Sequence, residues 1–157
     1  MKKTFSLCLL LSIAIAGAFA AVIPVADLTA EKLEEELLLN YDTYVIDDNN
    51  LLILASNSDL YVTIEAEYYQ IWLYAAYVAA DGVTEDLALR ICNAWNSEMA
   101  FARAYYYYDV CAFALDYDIY YTEEGIESGM LKRALEEFIG MNEIFWQYLA
   151  YEDALSL

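Results

Sequence analysis

The sequence predicts an α+β fold in which helices pack against a mostly antiparallel sheet, in the element order α-β-β-β-β-α-β-β-α. Strand-like segments occur in clusters joined by short turns, which favours hairpins and antiparallel pairing. Segments with capping signals and helical spacing of apolar residues separate these clusters. No repeat, low-complexity linker or second domain interrupts the pattern, so we expect one domain over 29–157, after a short leader at 21–28.

The first helix is predicted over residues 30–40. Thr29 can cap its N-terminus, and Glu31 places an acid in the first turn, where the helix dipole favours negative charge. Its inner apolar stripe consists of Leu33, Leu37 and Leu38.

Four strands are predicted next. Residues 44–46 and 51–55 form a hairpin around a turn at 47–50, where Asp and Asn favour a change of direction. Residues 61–67 alternate apolar and polar side chains, which is the pattern of a half-buried strand. A more apolar strand follows at 69–79, although the connection to it contains neither Gly nor Pro.

The second helix is predicted to begin after Thr84, which can cap it, and to end at about Met99. Its buried stripe consists of Leu87, Ile91, Ala94 and Trp95. Strands at 102–108 and 110–121 then pair. On the second of these, alternation places Asp116 and Asp118 on one face. The opposite face carries Cys111, Phe113, Leu115, Tyr117 and Ile119.

A long helix is predicted from Thr122 to Tyr151. Gly125 and Gly129 weaken its first turns, so a later start with Ser128 as the cap is the alternative. Its core side consists of Ile126, Met130, Ala134, Phe138, Met141, Phe145 and Leu149.

The first twenty residues have the pattern of a secretory signal peptide. Lys2 and Lys3 precede an apolar run at 5–19, and Ala18 to Ala20 form a small-residue cleavage site. The run is shorter than the ~18–20 apolar residues that span a bilayer, which disfavours an uncleaved anchor. We therefore expect cleavage after Ala20 and a periplasmic or secreted bacterial protein.

The charge balance limits the classes of partner. The chain has 7 Lys and Arg against 26 Asp and Glu, a formal net charge of −19. Nucleic acids and anionic membranes are bound through clustered basic residues, so we expect neither as a partner. The acidity favours cationic partners and divalent cations. A hydrophobic fraction of 61% argues against disorder.

Two cysteines remain after cleavage, Cys92 and Cys111. An oxidising periplasm permits a disulfide between them. The alternative is that both are small buried hydrophobic side chains.

Residues 82–148 resemble the YbjN-like family, described as candidate sensory transduction regulators of bacteria. The resemblance rests on Asn93-Ala94-Trp95-Asn96, on the segment from Met99 to Tyr105, on Tyr117-Asp118-Ile119 and on the apolar stretch 131–149. It implies a type III secretion chaperone-like fold, with helices against a curved antiparallel sheet. Such chaperones dimerise and hold an extended peptide, so the resemblance implies a protein or peptide partner and leaves a homodimer open.

The chain departs from the family in three ways. The turn at 107–110 contains no Gly, a signal peptide is present, and the chain has 16 tyrosines. The family has no established catalytic site, so the resemblance implies neither catalytic residues nor a cofactor.

Enzyme signals in the sequence are weak. The chain contains no His, which is the commonest general base near neutral pH. The pair Asp116 and Asp118 favours a solvated polar face over acid–base or Ca²⁺ chemistry, since hard cations need more oxygen ligands. Residues 47–50 resemble part of a calcium loop but favour a plain turn. We therefore assign no catalytic, cofactor or metal site.

The stretch Tyr105 to Tyr108 carries the candidate binding residues. On a strand, Tyr105 and Tyr107 would face one side, and Tyr106 and Tyr108 the other. One pair would pack under the helices, and the outward pair is the candidate for binding a peptide, glycan or second subunit, with sheet building alone as the alternative. Arg103 joins the candidates, because its guanidinium can pair with a carboxylate of the chain or of a partner's terminus. The sequence leaves open which pair is exposed.

The expected function is that of a non-enzymatic, secreted or periplasmic YbjN-like regulator or chaperone-like protein-binding module. The alternatives are a small carboxylate-based periplasmic hydrolase and an acidic protein that binds divalent cations.

Overall fold

The structure, a computed structural model, describes residues 21–38, 40–55 and 57–156. The predicted signal peptide lies outside these ranges. The helices are α1 (Ala30–Leu37), α2 (Glu85–Glu98) and α3 (Ser128–Tyr151). The strands are β1 (Val22–Ile23), β2 (Thr43–Asp47), β3 (Asn50–Ile53), β4 (Leu60–Glu65), β5 (Gln70–Val78), β6 (Arg103–Tyr107), β7 (Ala112–Tyr120) and β8 (Ile126–Glu127). No helix in the described ranges is long and apolar enough to cross a membrane.

Six of these strands form one sheet in the order β2-β3-β4-β5-β7-β6, and every neighbouring pair is antiparallel. The central pair is β5 and β7, whose register joins residues 70–78 to residues 112–120. Helix α2 connects β5 to β6, and the β6–β7 hairpin then folds back so that β7 lies beside β5. This arrangement confirms the predicted α+β class and the order of its main elements.

The helices cover one face of the sheet. Inward residues of β5 and β7, such as Leu73 and Leu115, are fully buried and belong to the same cluster as Leu33 of α1, Ile91 of α2 and Phe145 of α3. The burial of apolar surface in this cluster is the main stabilising contribution to the fold. The opposite face of the sheet is left without a covering layer in the described residues.

The segment at 21–28, predicted as a short leader, pairs with the residues just before the last helix. Val22 and Ile23 form β1, which is antiparallel to β8. The carbonyl of Ala21 also accepts a hydrogen bond from the Ser128 amide at 2.8 Å. Gly125, at a φ of 118°, allows this approach, since a Cβ there would lie 2.0 Å from the Ile23 carbonyl oxygen.

The helix boundaries differ from the predicted ones at two ends. Helix α1 is capped by Thr29 as predicted but ends at Leu37. Helix α3 begins at Ser128, the later of the two predicted starts, but Ser128 is its first residue and not its cap. The predicted core stripe of α3 is wrong at Met130, which is 38% exposed. The buried residues of α3 are Leu131, Leu135, Phe138, Asn142, Phe145 and Leu149. Those of α2 are Ala88, Ile91, Cys92 and Trp95, so the predicted Leu87 and Ala94 are only half-buried.

A buried polar contact joins α3 to the sheet. The Tyr77 hydroxyl donates to the side-chain oxygen of Asn142, and the amide group of Asn142 donates to the Ser58 carbonyl at 3.2 Å. Burial raises the pKa of Tyr77 far above its ordinary value, so this hydroxyl remains a donor at any physiological pH.

Two hairpins turn without glycine in the same way. The β4–β5 hairpin passes through a 3-10 turn at Ala66–Tyr68 and then Tyr69, which has a φ of 50°. The β6–β7 hairpin passes through a 3-10 turn at Tyr108–Val110 and then Cys111, which has a φ of 48°. Both residues occupy the left-handed region, where a Cβ costs about 1–2 kcal/mol.

Candidate functional site on the open face of the sheet

The open face is the side of the six-stranded sheet that points away from the helices. Successive side chains along a strand point to opposite faces, so the residues that alternate with the buried ones belong to the open face. Its aromatic residues are Tyr44, Tyr61, Trp72, Tyr74, Tyr105, Tyr107 and Tyr120. Tyr44 is 62% exposed, and Tyr61 and Tyr107 are 45% and 44% exposed.

The register aligns some of these side chains across the whole sheet. Tyr44 of β2 is opposite Leu52 of β3, which is opposite Tyr61 of β4. Tyr61 in turn is opposite Tyr74 of β5, and their ring centroids are 6.3 Å apart. The remaining members, continuing across β7 to β6, are Asp116 and Arg103. We call these six residues the cross-strand row.

An ion-pair network lies at the β6 end of the cross-strand row. The Arg103 guanidinium contacts both oxygens of Asp116, at 3.1 and 3.2 Å, and one oxygen of Asp118 at 2.6 Å. Gln70 donates to the other oxygen of Asp118 at 2.6 Å, and the Trp72 indole donates to Asp116 at 3.4 Å. These residues come from three neighbouring strands, so the network ties β5, β7 and β6 together.

The network corrects the predicted role of the two aspartates. Asp116 is only 5% exposed, so it does not lie on a solvated polar face. Each of the four carboxylate oxygens of Asp116 and Asp118 already accepts at least one hydrogen bond. Carboxylates held in this way are poorly placed to coordinate a cation or to exchange protons with a substrate.

Two tyrosines of the open face, Tyr74 and Tyr105, lie next to Asp116. Ala114 points to the open face, opposite Tyr105, and yet is fully buried. Burial raises the pKa of Tyr105 well above its ordinary value, and the Asp116 carboxylate raises it further. Burial and then the neighbouring Tyr107 raise the pKa of Tyr74. Both hydroxyls are therefore neutral at physiological pH, and the Tyr105 hydroxyl donates to the Asp116 carboxylate.

The structure separates the four tyrosines of the sequence stretch. Tyr105 and Tyr107 lie on the open face, with ring centroids 5.7 Å apart. Tyr106 packs on the inner side against Phe113 at 4.9 Å between centroids. Tyr108 was predicted to belong to the strand, but it lies in the 3-10 turn that follows. Only Tyr105 and Tyr107 of the four are thus placed beside Arg103 on the candidate face.

The two cysteines are free thiols. Cys92 is buried in α2, and burial raises the pKa of its thiol to about 11. Cys111 was predicted to face the core on the last strand, but it lies exposed in the hairpin turn, and its thiol contacts the Tyr108 carbonyl at 3.7 Å.

The residues that carry the family resemblance are structural. The Trp95 indole donates to the Ala102 carbonyl at 2.9 Å. Asn96 both donates to the Ala104 carbonyl and accepts from the Ala104 amide, at 2.8 Å each. Strand β6 is an edge of the sheet, so its outer side has no neighbouring strand among the described residues. These side chains of α2 form hydrogen bonds with the backbone groups on that outer side.

Sequence reasoning did not identify Tyr61, Gln70, Trp72 and Tyr74 as members of the site. The alternating pattern at 61–67 was a signal for the outward side of Tyr61. The pairing of β5 with β7, which are far apart in sequence, was not visible in the chain, and this pairing brings Trp72 and Gln70 to the aspartates.

Within the part of the chain that the structure describes, no group of three or more His, Cys, Asp or Glu residues is placed to hold a metal ion. This agrees with the engagement of the Asp116 and Asp118 oxygens by other side chains.

Solved structures place this architecture among known folds. YbjN from E. coli, a candidate transcription regulator, matches with a TM-score of 0.71 at 10% sequence identity, and the match covers 87% of this chain and 100% of YbjN. The chain has the YbjN fold. The HopA1–SchA chaperone–effector complex contains a similar chain, with a TM-score of 0.50 and 12% identity, covering 70% of this chain and 85% of that one.

A chain of the ExsC–ExsE complex is also similar, with a TM-score of 0.52 and 14% identity over 66% of this chain and 79% of that one. No protein-family model matches the chain, and no curated protein does. The similarity confirms the fold that the sequence resemblance predicted, including its likeness to type III secretion chaperones.

Proposed function

We propose that this chain is a non-enzymatic, YbjN-like regulator or chaperone-like module that binds a protein partner on its open face. The observation that carries the proposal is the row of aromatic side chains on a sheet face that none of the described helices covers. Tyrosine combines a large contact area with a polar tip and few rotatable bonds, which suits it to interfaces.

The surface composition supports a binding role. Contiguous exposed apolar area is uncommon on monomeric proteins unless it binds something. Besides the tyrosines, Ile46, Leu54 and Val78 are exposed around the sheet, at 48%, 48% and 65%. A face of this kind would gain stability from burial against a partner.

The fold supports a protein partner over a small-molecule substrate. One similar structure is a chaperone–effector complex, in which that chaperone holds a protein. The aspartates that would serve a hydrolase are already bound to Arg103, Gln70 and Trp72, and the sequence contains no His. These observations favour a binding protein over the hydrolase and cation-binding alternatives.

We place the protein in the periplasm or outside the cell, on the strength of the signal-peptide pattern at 1–20. Expression of the full chain in a Gram-negative host, followed by fractionation and intact-mass measurement, tests this. The expected result is a periplasmic or secreted product that begins at Ala21. A cytoplasmic product that retains Met1 contradicts the localisation but leaves the binding proposal intact.

The binding proposal is tested by affinity capture from a periplasmic extract. The variant Tyr61→Ser/Tyr107→Ser changes the open face, and Tyr68→Ser/Tyr151→Ser changes two tyrosines of 65% and 83% exposure that lie in a hairpin turn and at the end of α3. We expect the first variant to lose partners that the wild type and the second variant retain. Equal capture by all three folded proteins would refute the role of the open face.

Light scattering of the purified protein determines whether it forms a homodimer. A dimer that persists in Tyr61→Ser/Tyr107→Ser would be formed elsewhere on the molecule and would leave the open face free for a different partner.

A further inference from the structure

We infer that the open face takes a cationic, extended protein segment that presents Arg or Lys side chains to the cross-strand row. This inference rests on the proposed function and names the chemistry of the partner. Three properties of the face carry it: its charge, its aromatic rings and the way in which it already holds one arginine.

The open face has an uneven distribution of charge. Strands β2 to β7 contain four acidic residues, Asp47, Glu65, Asp116 and Asp118, and all four point to the open side. Arg103 is the only basic residue of these strands and is bound to Asp116 and Asp118, so the strands carry one positive charge against four negative ones. The other basic residues after position 20 all lie on helices: Lys32, Arg90, Lys132 and Arg133. The basic side chains are thus concentrated away from the sheet, and the face attracts cations.

The aromatic rings suit the same ligand. A guanidinium or ammonium group over a tyrosine ring gains about 0.5–1 kcal/mol at an exposed site. Tyr44 and Tyr61 lie on either side of Leu52 in the cross-strand row and expose about half or more of their surface. These rings, together with the acidic residues elsewhere on the same face, complement a chain that carries spaced positive charges.

Arg103 shows how the face holds a guanidinium. Its two contacts with Asp116 are bidentate, and it reaches Asp118 as well, yet its side chain remains 62% exposed. Tyr105 lies two residues further along β6, on the same face as Arg103. A partner arginine would meet a tyrosine and an acidic residue on each of two strands further along the sheet, Tyr44 with Asp47 on β2 and Tyr61 with Glu65 on β4.

The size of the face sets the length of the bound segment. The cross-strand row passes over six strands, and neighbouring strands lie about 4.8 Å apart. The row is therefore about 24 Å long, which an extended chain covers with roughly seven residues at about 3.3 Å each.

Charge disfavours the other occupants of the face. A second copy of the chain would bring together two molecules of formal net charge −19, each with an acidic face. An anionic lipid surface would be repelled in the same way. A basic segment would instead be attracted at long range, and its association rate would fall with added salt.

The test uses the purified protein and dye-labelled heptapeptides in fluorescence anisotropy titrations. One peptide alternates Ser and Arg, a second has citrulline in place of Arg, and a third has Glu. Citrulline has the shape of arginine without its charge. We expect the arginine peptide to bind on the order of ten times more tightly than the citrulline peptide. We expect the glutamate peptide not to bind.

Variants distinguish binding at the face from general attraction to an acidic protein. Tyr44→Ser/Tyr61→Ser alters the row without changing net charge. Tyr44→Ser alone, at a residue that is 62% exposed, provides a second row variant should the first lose its fold by circular dichroism. Tyr68→Ser/Tyr151→Ser is the matched control. We expect the arginine peptide to bind several-fold more weakly to the row variants and unchanged to the control.

Two results overturn the inference. Equal affinity of all folded variants for the arginine peptide means that the attraction is not located at the row. Equal affinity of the arginine and citrulline peptides, or no binding of either, means that the ligand is not recognised by charge. In both cases the proposed function stands if the capture experiment still shows partners lost from the open-face variant, so the two failures are distinguishable.

Discussion

The side-chain amide of Asn96 forms two hydrogen bonds with the backbone of Ala104, one from its nitrogen to the carbonyl and one from the strand amide to its oxygen, both at 2.8 Å. This pair joins α2 to the edge strand β6. It occupies the backbone positions through which an exposed edge would otherwise recruit another strand.

Substitution Asn96→Ala is expected to lower the free energy of unfolding by about 2 kcal/mol, because two partly buried backbone groups lose their partner. Asn93→Ala is the matched control, since Asn93 lies exposed on the same helix and should change stability by less than about 0.5 kcal/mol. Urea denaturation measures both. Similar values for the two variants would mean that Asn96 does not protect the edge.

Substitution Arg103→Gln is expected to destabilise the protein by about 2 kcal/mol, because the nearly buried Asp116 carboxylate loses its charged partner. The control is Arg90→Gln. Arg90 pairs with Glu152 at 3.2 Å, but its side chain is 68% exposed, and exposed pairs contribute about 0–1 kcal/mol. In the double variant Arg103→Gln/Asp116→Asn, part of the lost stability should return. A double variant as unstable as the sum of the single ones would contradict the coupling.

Two Tyr→Phe substitutions should change the free energy of unfolding by different amounts. Tyr77→Phe removes the donor from buried Asn142 and should cost about 1–3 kcal/mol. The Tyr121 hydroxyl is buried without a hydrogen-bond partner in the described residues, so Tyr121→Phe should be neutral or stabilising. Thermal unfolding compares the two, and an equal loss in both would show that the Asn142 contact contributes nothing specific.

Cys111→Gly is expected to stabilise the protein by about 1 kcal/mol, because glycine adopts the left-handed conformation of Cys111 without steric cost. Tyr69 has the same conformation, but its ring packs on Tyr121 with centroids 5.8 Å apart. Tyr69→Gly should therefore stabilise the protein less than Cys111→Gly does, or destabilise it. Chemical denaturation under reducing conditions checks both, and a destabilised Cys111→Gly would contradict the proposed strain.

Alkaline pH is expected to destabilise the protein. The pKa values of Tyr77 and Tyr105 are raised in the folded state, chiefly by burial, from an ordinary value of 10.0. Stability from such groups is fully present below pH 10 and is lost as the pH rises further, because the unfolded chain then releases protons that the folded chain retains. Denaturation at pH 8 to 11 measures the slope, which Tyr77→Phe should reduce. An unchanged slope in that variant would place the effect on other groups.

Local chemistry in the sequence accounts for much of the fold. Thr29 and Thr84 cap helices as predicted, since a cap depends only on residues within one turn. Alternation likewise predicted that Asp116 and Asp118 share a face, because side-chain direction on a strand has a fixed period of two. The free Cys111 and the start of α3 were placed less accurately, because both depend on contacts with distant segments.

The sequence by itself determined the class of fold, the main helices and strands and the acidic, tyrosine-rich composition of the chain. The tertiary structure decided which outward side chains become neighbours. Trp72 and Asp116 meet because β5 pairs with β7 in one register, and Tyr105 rather than Tyr106 faces outward because Phe113 and the core take the other side. Register depends on burying one face of every strand at once, and this is a property of the packed sheet that no single segment contains.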